Sequence, residues 1–475
     1  MVLLMPTVAF VTLGCKVNQY DTQVMREVLK NSGYDLVNPD EIADVYVINT
    51  CTVTSVSDRK SRQMIRRLNS LNPDAVLVVT GCYAERRPDE IKNIQSRSAE
   101  SPRLSGAEKR KNINVNLVLS NKDKPFIDKF LNGIVNEVQN ETDSYPCITT
   151  FDDQTRALIK IEEGCDSMCT YCIVPYVRGR TIHSRPIDSI QQEVKILAEN
   201  GYKEVVLTGI HLGAYGKDFS GTRLPEVLRA IHIFDGIERI RLSSIEPMDV
   251  SDELIDEISH LPKCAHHLHI SLQSGSDKIL RLMRRGYTSL EFESLINRIR
   301  SSIPDVGIST DVMVGFPGET DQDFAETCDL ISRVRFSRLH VFRYSPREGT
   351  PAVKFPDRVP DRISSKRSDE VIALGERLQQ EFYSSMLGQY ADVLIEDKRE
   401  GKDNSRSALS SAELGIAVQR KNGLLAGFTS NYARVLVVDA TDDLINSIIH
   451  VKLIKLENDH LIGVNNPMPN LRLTK

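Results

Sequence analysis

Four features are missing from this chain of 475 residues, and each absence removes a class of protein. No apolar run approaches the roughly 20 residues that a membrane-spanning helix needs, so no membrane role is expected. The opening stretch MVLLMPTVAFVTLGC has no basic residues ahead of its apolar run and no small-residue cleavage site. It reads as a buried strand and not as a secretion signal. Positive charge is not in excess: the net charge of −5 excludes a globally basic nucleic-acid binder and confines any RNA contact to local patches. Nor is there an even, closely spaced cysteine set. The nine cysteines are spread over the chain, which fits reduced thiols used for metal in a cytoplasmic protein better than a disulfide framework. What remains, 40% hydrophobic and 26% charged residues, is ordinary for a globular protein, and the length suggests about three domains.

Three of the cysteines form one short run. Cys165, Cys169 and Cys172 lie in G-C-D-S-M-C-T-Y-C, with gaps of three and two residues. Three thiolates can hold three irons of a cubane 4Fe–4S cluster, which leaves one iron without a protein ligand and open to chemistry. Zinc patterns come as paired C-x-x-C units, and ferredoxin runs supply a fourth cysteine. A zinc knuckle or three unrelated thiols are the alternatives.

Three more cysteines share a position in the first ninety residues. Val8 to Leu13 reads as a strand ending at Gly14-Cys15, Val45 to Asn49 as one ending at Thr50-Cys51, and Val76 to Thr80 as one ending at Gly81-Cys82. Helical patterning over Thr22 to Lys30 and Asp58 to Asn69 separates them, with Gly33 as a stop. Strand–helix–strand units of this length imply a parallel sheet, whose strands end along one edge where ligands bind. Cys15, Cys51 and Cys82 should therefore converge as a second three-thiolate set. Free cysteine is also common in cores, so three unrelated buried thiols are the alternative.

GCKVNQYDT around Cys15, NTCTVT around Cys51, TGCYAE around Cys82 and the central run together resemble the methylthiotransferase family of radical S-adenosylmethionine (SAM) enzymes. The form GCKVNQYD resembles the branch that methylthiolates threonylcarbamoyladenosine in tRNA. The resemblance covers nearly the whole chain; the polar stretch from Gln95 to Asn114 departs from it and reads as a loop insertion. It implies two 4Fe–4S clusters, one on Cys165, Cys169 and Cys172 and one on Cys15, Cys51 and Cys82, with SAM as cofactor. The first cluster would reduce SAM to a 5′-deoxyadenosyl radical, which removes hydrogen from carbon 2 of the adenine. The second would present sulfur, which a second SAM methylates before transfer. The substrate implied is an adenosine splayed from the tRNA anticodon loop. Other partners implied are a flavodoxin- or ferredoxin-like electron donor and no second subunit.

From Ala157 to Ser345 a strand, a loop and a helix recur about six times, which suggests a partial (βα)6 barrel rather than a closed eight-stranded one. The strands expected are Ala157–Glu162, Glu204–Leu207, Arg239–Leu242, His267–Leu272, Ser309–Val314 and Arg338–Phe342, with helices such as Ile187–Asn200 and Asp277–Met283 between them. The turns after the strands share the face that carries active sites. Gly209, in Thr208-Gly209, resembles part of the family's glycine-rich stretch around SAM. Glu246 is a candidate for ribose hydroxyls or a solvated loop carboxylate. Ser271 and Gln273 share parity and face the barrel interior, and Asp311 is a charge in a strand in need of a partner. Arg284 and Arg285 are candidates for SAM's carboxylate or RNA phosphate, with one of them an ordinary surface arginine. His266, His267 and His269 read as strand histidines rather than ligands, and Cys147, Cys264 and Cys328 as structural.

After Pro360 a helix from Arg362 to Met386 leads to strands at Ala391–Ile395, Ala433–Val438 and His450–Leu456, a small antiparallel β-barrel. GFTSNYARVLV resembles the TRAM RNA-binding domain, while Lys398 to Ser411 reads as a loop. The fold expected is α/β: a parallel-sheet domain over 1–145, the radical SAM barrel over 150–382 and a TRAM-like barrel over 386–464. Positive charge gathers in three places: Arg59, Arg62 and Arg66; Arg178, Arg180 and Arg185; and ten bases against three acids from Ser332 to Arg367. These are expected to touch phosphate, the alternative being solvated faces. Rival functions are methylthiolation of isopentenyladenosine or of a ribosomal-protein aspartate, and a non-catalytic iron–sulfur RNA-binding or electron-transfer protein.

Overall fold

The computed structural model describes residues 5–95, 113–133, 146–151, 154–219, 221–396, 424–438 and 440–465. Most of the 95–114 insertion and the 398–411 loop lie outside these residues.

Alternation of short apolar strands with amphipathic helices builds the first unit. Strands β1 (Thr7–Thr12), β2 (Asp35–Val37), β3 (Val45–Thr50), β4 (Val76–Gly81) and β5 (Leu117–Val118) form a parallel sheet in the order β2-β1-β3-β4-β5. Strand β3 is buried along its whole length, as a central strand covered on both faces must be. Helix α1 (Lys16–Asn31) leaves Cys15 as its first cap residue. Helix α2 (Ser55–Leu71) begins where the Thr54 hydroxyl accepts a hydrogen bond from the Ser57 amide. The one-turn helix α3 (Cys82–Arg86) starts on Cys82 itself. All three begin at strand ends, so their first residues share one edge of the sheet.

The second unit carries six parallel strands: β6 (Arg156–Lys160), β7 (Glu204–Thr208), β8 (Arg239–Leu242), β9 (His267–Ile270), β10 (Gly307–Val314) and β11 (Arg338–Arg343). Strand β7 pairs with β6 and β8, and β10 pairs with β9 and β11. The halves are joined where Ser244 and Ile245, just past β8, pair in parallel with His269 and Ile270, and by a bridge between Ile240 and Cys264. Among the described residues no pairing returns from β11 to β6, so the barrel stays open. Its core is a continuous apolar cluster from Ala157 to Leu378 that also takes in Tyr20 and Val24 of α1, Ile148 and Phe151. Helix α4 (Val174–Arg178) comes after β6, α5 (Asp277–Met283) comes after β9, and the long α6 (Asp361–Ser385) packs along β11.

Strands β12 (Tyr390–Ile395), β13 (Leu425–Thr429), β14 (Arg434–Val438), β15 (Ile448–Glu457) and β16 (His460–Asn465) close a small barrel in the order β12-β13-β14-β16-β15. It departs from the all-antiparallel expectation in one place: β14 and β16 run parallel. The intervening β15 crosses between them, and apolar alternation within a strand says nothing about a partner's direction.

Candidate active site

Glycine precedes three of the six motif cysteines. Gly14, Gly81 and Gly164 have φ of +112°, +92° and +97°, a region that side chains avoid. Space forbids a side chain as well: a Cβ on Gly81 would lie 2.4 Å from the Thr50 carbonyl oxygen, and one on Gly164 2.0 Å from that of Thr181.

The Asn18 amide ties two of the N-terminal turns together, donating to the carbonyls of Leu13 at 2.8 Å and Thr50 at 3.0 Å. The Cys15 turn packs on Cys51: a Cβ on Gly14 would lie 3.3 Å from Cys51 Sγ. Burial raises the pKa of the Cys51 thiol, and negative charge on Cys82 and Cys15 would raise it further. Arg178, on α4 of the barrel unit, crosses to this set and donates from Nε to Cys82 Sγ at 3.4 Å. Burial opposes its charge, but Glu163, Cys82, Asp21 and Cys15 outweigh that and hold the guanidinium protonated.

The second set lies in a pinned loop. The Cys165 amide donates to Gly179, the Thr170 amide to Met283, and the Thr170 carbonyl accepts from Ala352. Burial pushes the Cys172 thiol up to about 12, with Cys169 and Cys165 adding to the shift. Arg285 Nη1 donates to Cys169 Sγ at 3.5 Å and to Glu246 Oε1 at 3.0 Å, and its Nη2 reaches the Ser271 carbonyl at 3.0 Å.

Each thiol set thus has a buried guanidinium against one sulfur, which suits thiolates bound to a cluster of net negative charge. All nine cysteines are unpaired. Among the described residues no three His, Cys, Asp or Glu side chains are gathered as a single metal ion requires; a cubane spreads its thiolate ligands over separate irons. The donor set fits such clusters.

A cavity of ≈ 210 Å³ joins the two loops. Cys172 lines it from one side, and Val53 and Thr54, just past Cys51, line it from the other. Gln273 and Asp311 form part of the wall. Gln273 is held at φ +66° and exchanges backbone hydrogen bonds with Asp311 and Met313. Gly209 packs against buried Glu162, where a Cβ would lie 2.6 Å from Oε2. Arg284 is not brought to this site. It ends α5 in a left-handed conformation (φ +58°) and is exposed, while Arg285 turns inward.

Residues 159–331 match the Radical SAM superfamily, and residues 7–99 match the uncharacterized protein family UPF0004. The threonylcarbamoyladenosine tRNA methylthiotransferase MtaB of Bacillus subtilis (strain 168) is 38% identical over 95% of this chain and 94% of that one. The protein of the same name from Thermotoga maritima is 39% identical over 82% and 87%. A tRNA-2-methylthio-N(6)-dimethylallyladenosine synthase from Acetivibrio thermocellus is 34% identical over 81% and 79%. The chain belongs to the radical SAM methylthiotransferase family. Membership implies SAM and an iron–sulfur cluster as cofactors. Among solved structures, the radical SAM methyltransferase TsrM from Kitasatospora setae aligns at TM-score 0.47 and 14% identity over 72% of this chain and 77% of that one, a distance at which no argument rests on it.

In this methylthiotransferase several site residues escape a reading of motifs alone. Asp21, inside GCKVNQYD, accepts from Lys124 at 2.8 Å, Lys160 at 2.6 Å and Arg178 at 2.9 Å. Burial would raise its pKa, but the three cations hold it well below the carboxylate range. His211, two residues past Gly209, bridges Asp166 at 3.0 Å and Asp249 at 2.6 Å and lies 3.9 Å from Cys165 Sγ. Burial works against its charge, but the Asp249 hydrogen bond and the Cys165 contact raise its pKa to about 10.

The expected phosphate patches need correction at six arginines, while Arg59, Arg180, Arg338 and Arg343 stay exposed. Arg178 and Arg185 are buried, the latter paired with buried Glu193. Arg347 is buried against Asp58, and Arg367 against Glu319. Arg62 pairs with Glu90, and Arg66 donates to the Gln95 carbonyl. These cations join elements of the protein to one another, because clustering in sequence carries no information about exposure. The histidines behave as strand residues: His267 and His269 both meet the Ser309 hydroxyl, and His267 stacks on Tyr432 at 4.8 Å. No helix among the described residues is long and apolar enough to cross a membrane.

Proposed function

We propose that this methylthiotransferase converts N6-threonylcarbamoyladenosine beside the tRNA anticodon to its 2-methylthio derivative. Cys165, Cys169 and Cys172 hold the cluster that works with SAM, and Cys15, Cys51 and Cys82 hold a second one. The observation that carries this reading is the shared cavity: Cys172 borders it from the barrel, and the residues after Cys51 border it from the parallel sheet. A base in that space would lie against Cys172 and beside the residues that follow Cys51, and reaction there depends on position more than on acid–base help. When bound, the clusters and SAM supply the radical that opens carbon 2 of the adenine and the sulfur that fills it.

The chain's own residues orient these groups. Arg285, held by Glu246 and the Ser271 carbonyl, fixes the position of Cys169. Gly209, Gln273 and Asp311 are assigned to cofactor contacts, and exposed Arg284 to RNA phosphate. A flavodoxin- or ferredoxin-like protein is the reductant this chemistry requires. Support for the substrate comes from GCKVNQYD and from the substrate named for the Bacillus and Thermotoga relatives.

Mass spectrometry of nucleosides from the tRNA of a strain lacking the protein tests the reading. The 2-methylthio derivative of threonylcarbamoyladenosine should vanish and the unmethylthiolated nucleoside accumulate. Disappearance of the isopentenyladenosine derivative instead contradicts the substrate, and unchanged tRNA contradicts RNA as the target.

A further inference from the structure

Among the residues lining the cavity between the two thiol loops, one side chain is cationic, and it has no partner. Arg343, at the end of β11, is exposed, and its side chain makes no hydrogen bond or ion pair among the described residues. Three nearby arginines behave differently: Arg347, four residues on, is buried against Asp58 and the Thr52 hydroxyl, and Arg333 and Arg335 pair with Glu293 and Glu381. Arg338, at the start of β11, is exposed like Arg343 but does not line this cavity. A second unused group sits beside it. The Tyr344 hydroxyl is buried with no hydrogen-bond partner, while its ring packs edge-on against Phe316 at 5.4 Å. The carboxylate in the same lining, Asp311, lies 3.3 Å from His269 Nε2, so it has its own neighbour and is not tied to Arg343. Phe342, 46% exposed, adds an aromatic face to the same wall.

These features match one part of the substrate and not another. The threonylcarbamoyl group ends in a carboxylate, whereas an isopentenyl group is wholly apolar. A guanidinium with open donors recognises a carboxylate through paired hydrogen bonds. An apolar group offers those donors no partner, so the exposed guanidinium gains nothing from it and the discrimination comes from the contact made with the anion. An exposed aromatic face suits an adenine taken out of its stack.

We propose that Arg343 is a specificity-determining residue: it binds the carboxylate of the threonylcarbamoyl group and so selects this nucleoside over apolar N6-modified adenosines. The assignment rests on threonylcarbamoyladenosine being the substrate.

The test uses anaerobically reconstituted full-length enzyme and three anticodon stem-loops that differ only at the target adenosine. One carries threonylcarbamoyl with a free carboxylate, one the same group as its primary amide, and one isopentenyl. Both kcat/KM and stem-loop binding are measured. Wild type should prefer acid over amide by roughly 10- to 100-fold, the range for a lost charge-assisted hydrogen bond at a partly open site. Arg343→Ala should bring that ratio close to one, and Arg343→Lys should keep part of it. An Arg343→Ala ratio equal to that of wild type overturns the assignment. So does an equal loss on all three stem-loops, which would mean a phosphate contact. If wild type acts on the isopentenyl stem-loop and not on the acid, the substrate reading itself falls and the assignment with it; that outcome is visible before any variant is made.

Discussion

Asn18 and Asp21 lie three and six residues past Cys15, on one face of α1, and they show how a motif's lesser residues work. Asn18 clamps two cysteine turns, and Asp21 gathers three cations from β6, α4 and the Lys124 turn. Removing the carboxylate leaves those cations buried together, so Asp21→Asn should destabilise the protein by about 3–5 kcal/mol. A urea titration of the unfolding transition reads this directly, and a change below about 0.5 kcal/mol, the size of an ordinary surface substitution, contradicts it. At this scale the sequence is legible where residue type dictates conformation. Gly before Cys at positions 14, 81 and 164 is such a case, since only glycine accepts those turns. It is not legible where burial decides. Arg178 and Arg185 read as phosphate ligands because they are charged, yet they are buried on carboxylates. Whether Arg284 or Arg285 turns inward depends on where α5 ends, and a shift of one residue reverses it.

At the scale of elements, the N-terminal ends of β6, β7 and β8 hold the small barrel. Glu204 accepts from Arg241 at 2.7 Å and Arg239 at 3.2 Å, and both arginines donate onward to carbonyls of β12, β13 and the turn after β13. Tyr432 stacks on His267 and Phe428 and accepts a hydrogen bond from Arg156. Burial would raise the Glu204 pKa, but Arg241, Arg239 and Arg156 lower it from 4.5 to about 2. A depressed carboxylate pKa stabilises the fold fully above its unfolded value, and that contribution fades as pH falls through the folded one. Hydrogen-exchange protection of β12 to β16 should therefore decline between about pH 4.5 and about pH 2, and Glu204→Gln should remove that dependence. Equal pH profiles for variant and wild type contradict the assignment. The strands themselves were readable, because apolar runs of four to six residues bounded by Gly, Pro and polar turns have few other solutions. The parallel pairing of β14 with β16 was not, since strand direction is a property of the whole barrel.

At the scale of the whole molecule, two units built by the same strand–helix alternation present their strand ends to one another. Arg347 reaching Asp58, Arg178 reaching Cys82 and the Ser55 amide donating to Ser345 at 3.1 Å seal that face. The position of both cysteine groups at strand ends is legible in the sequence, because Gly-Cys and Thr-Cys turns follow apolar runs that form parallel strands. The contacts between them are not, since they join residues far apart along the chain. If each set holds its own 4Fe–4S cluster, reconstituted protein should bind about eight irons per chain, and alanine at Cys165, Cys169 and Cys172 should remove about half. Loss of all iron, or of none, contradicts independent sites. The most direct measurement separates the two chemistries in one tube. The variant with alanine at Cys15, Cys51 and Cys82 is reduced anaerobically with SAM and substrate tRNA, and 5′-deoxyadenosine and methylthiolated nucleoside are quantified together. The account predicts that SAM is still cleaved and no methylthio product forms; product at the wild-type rate would contradict it.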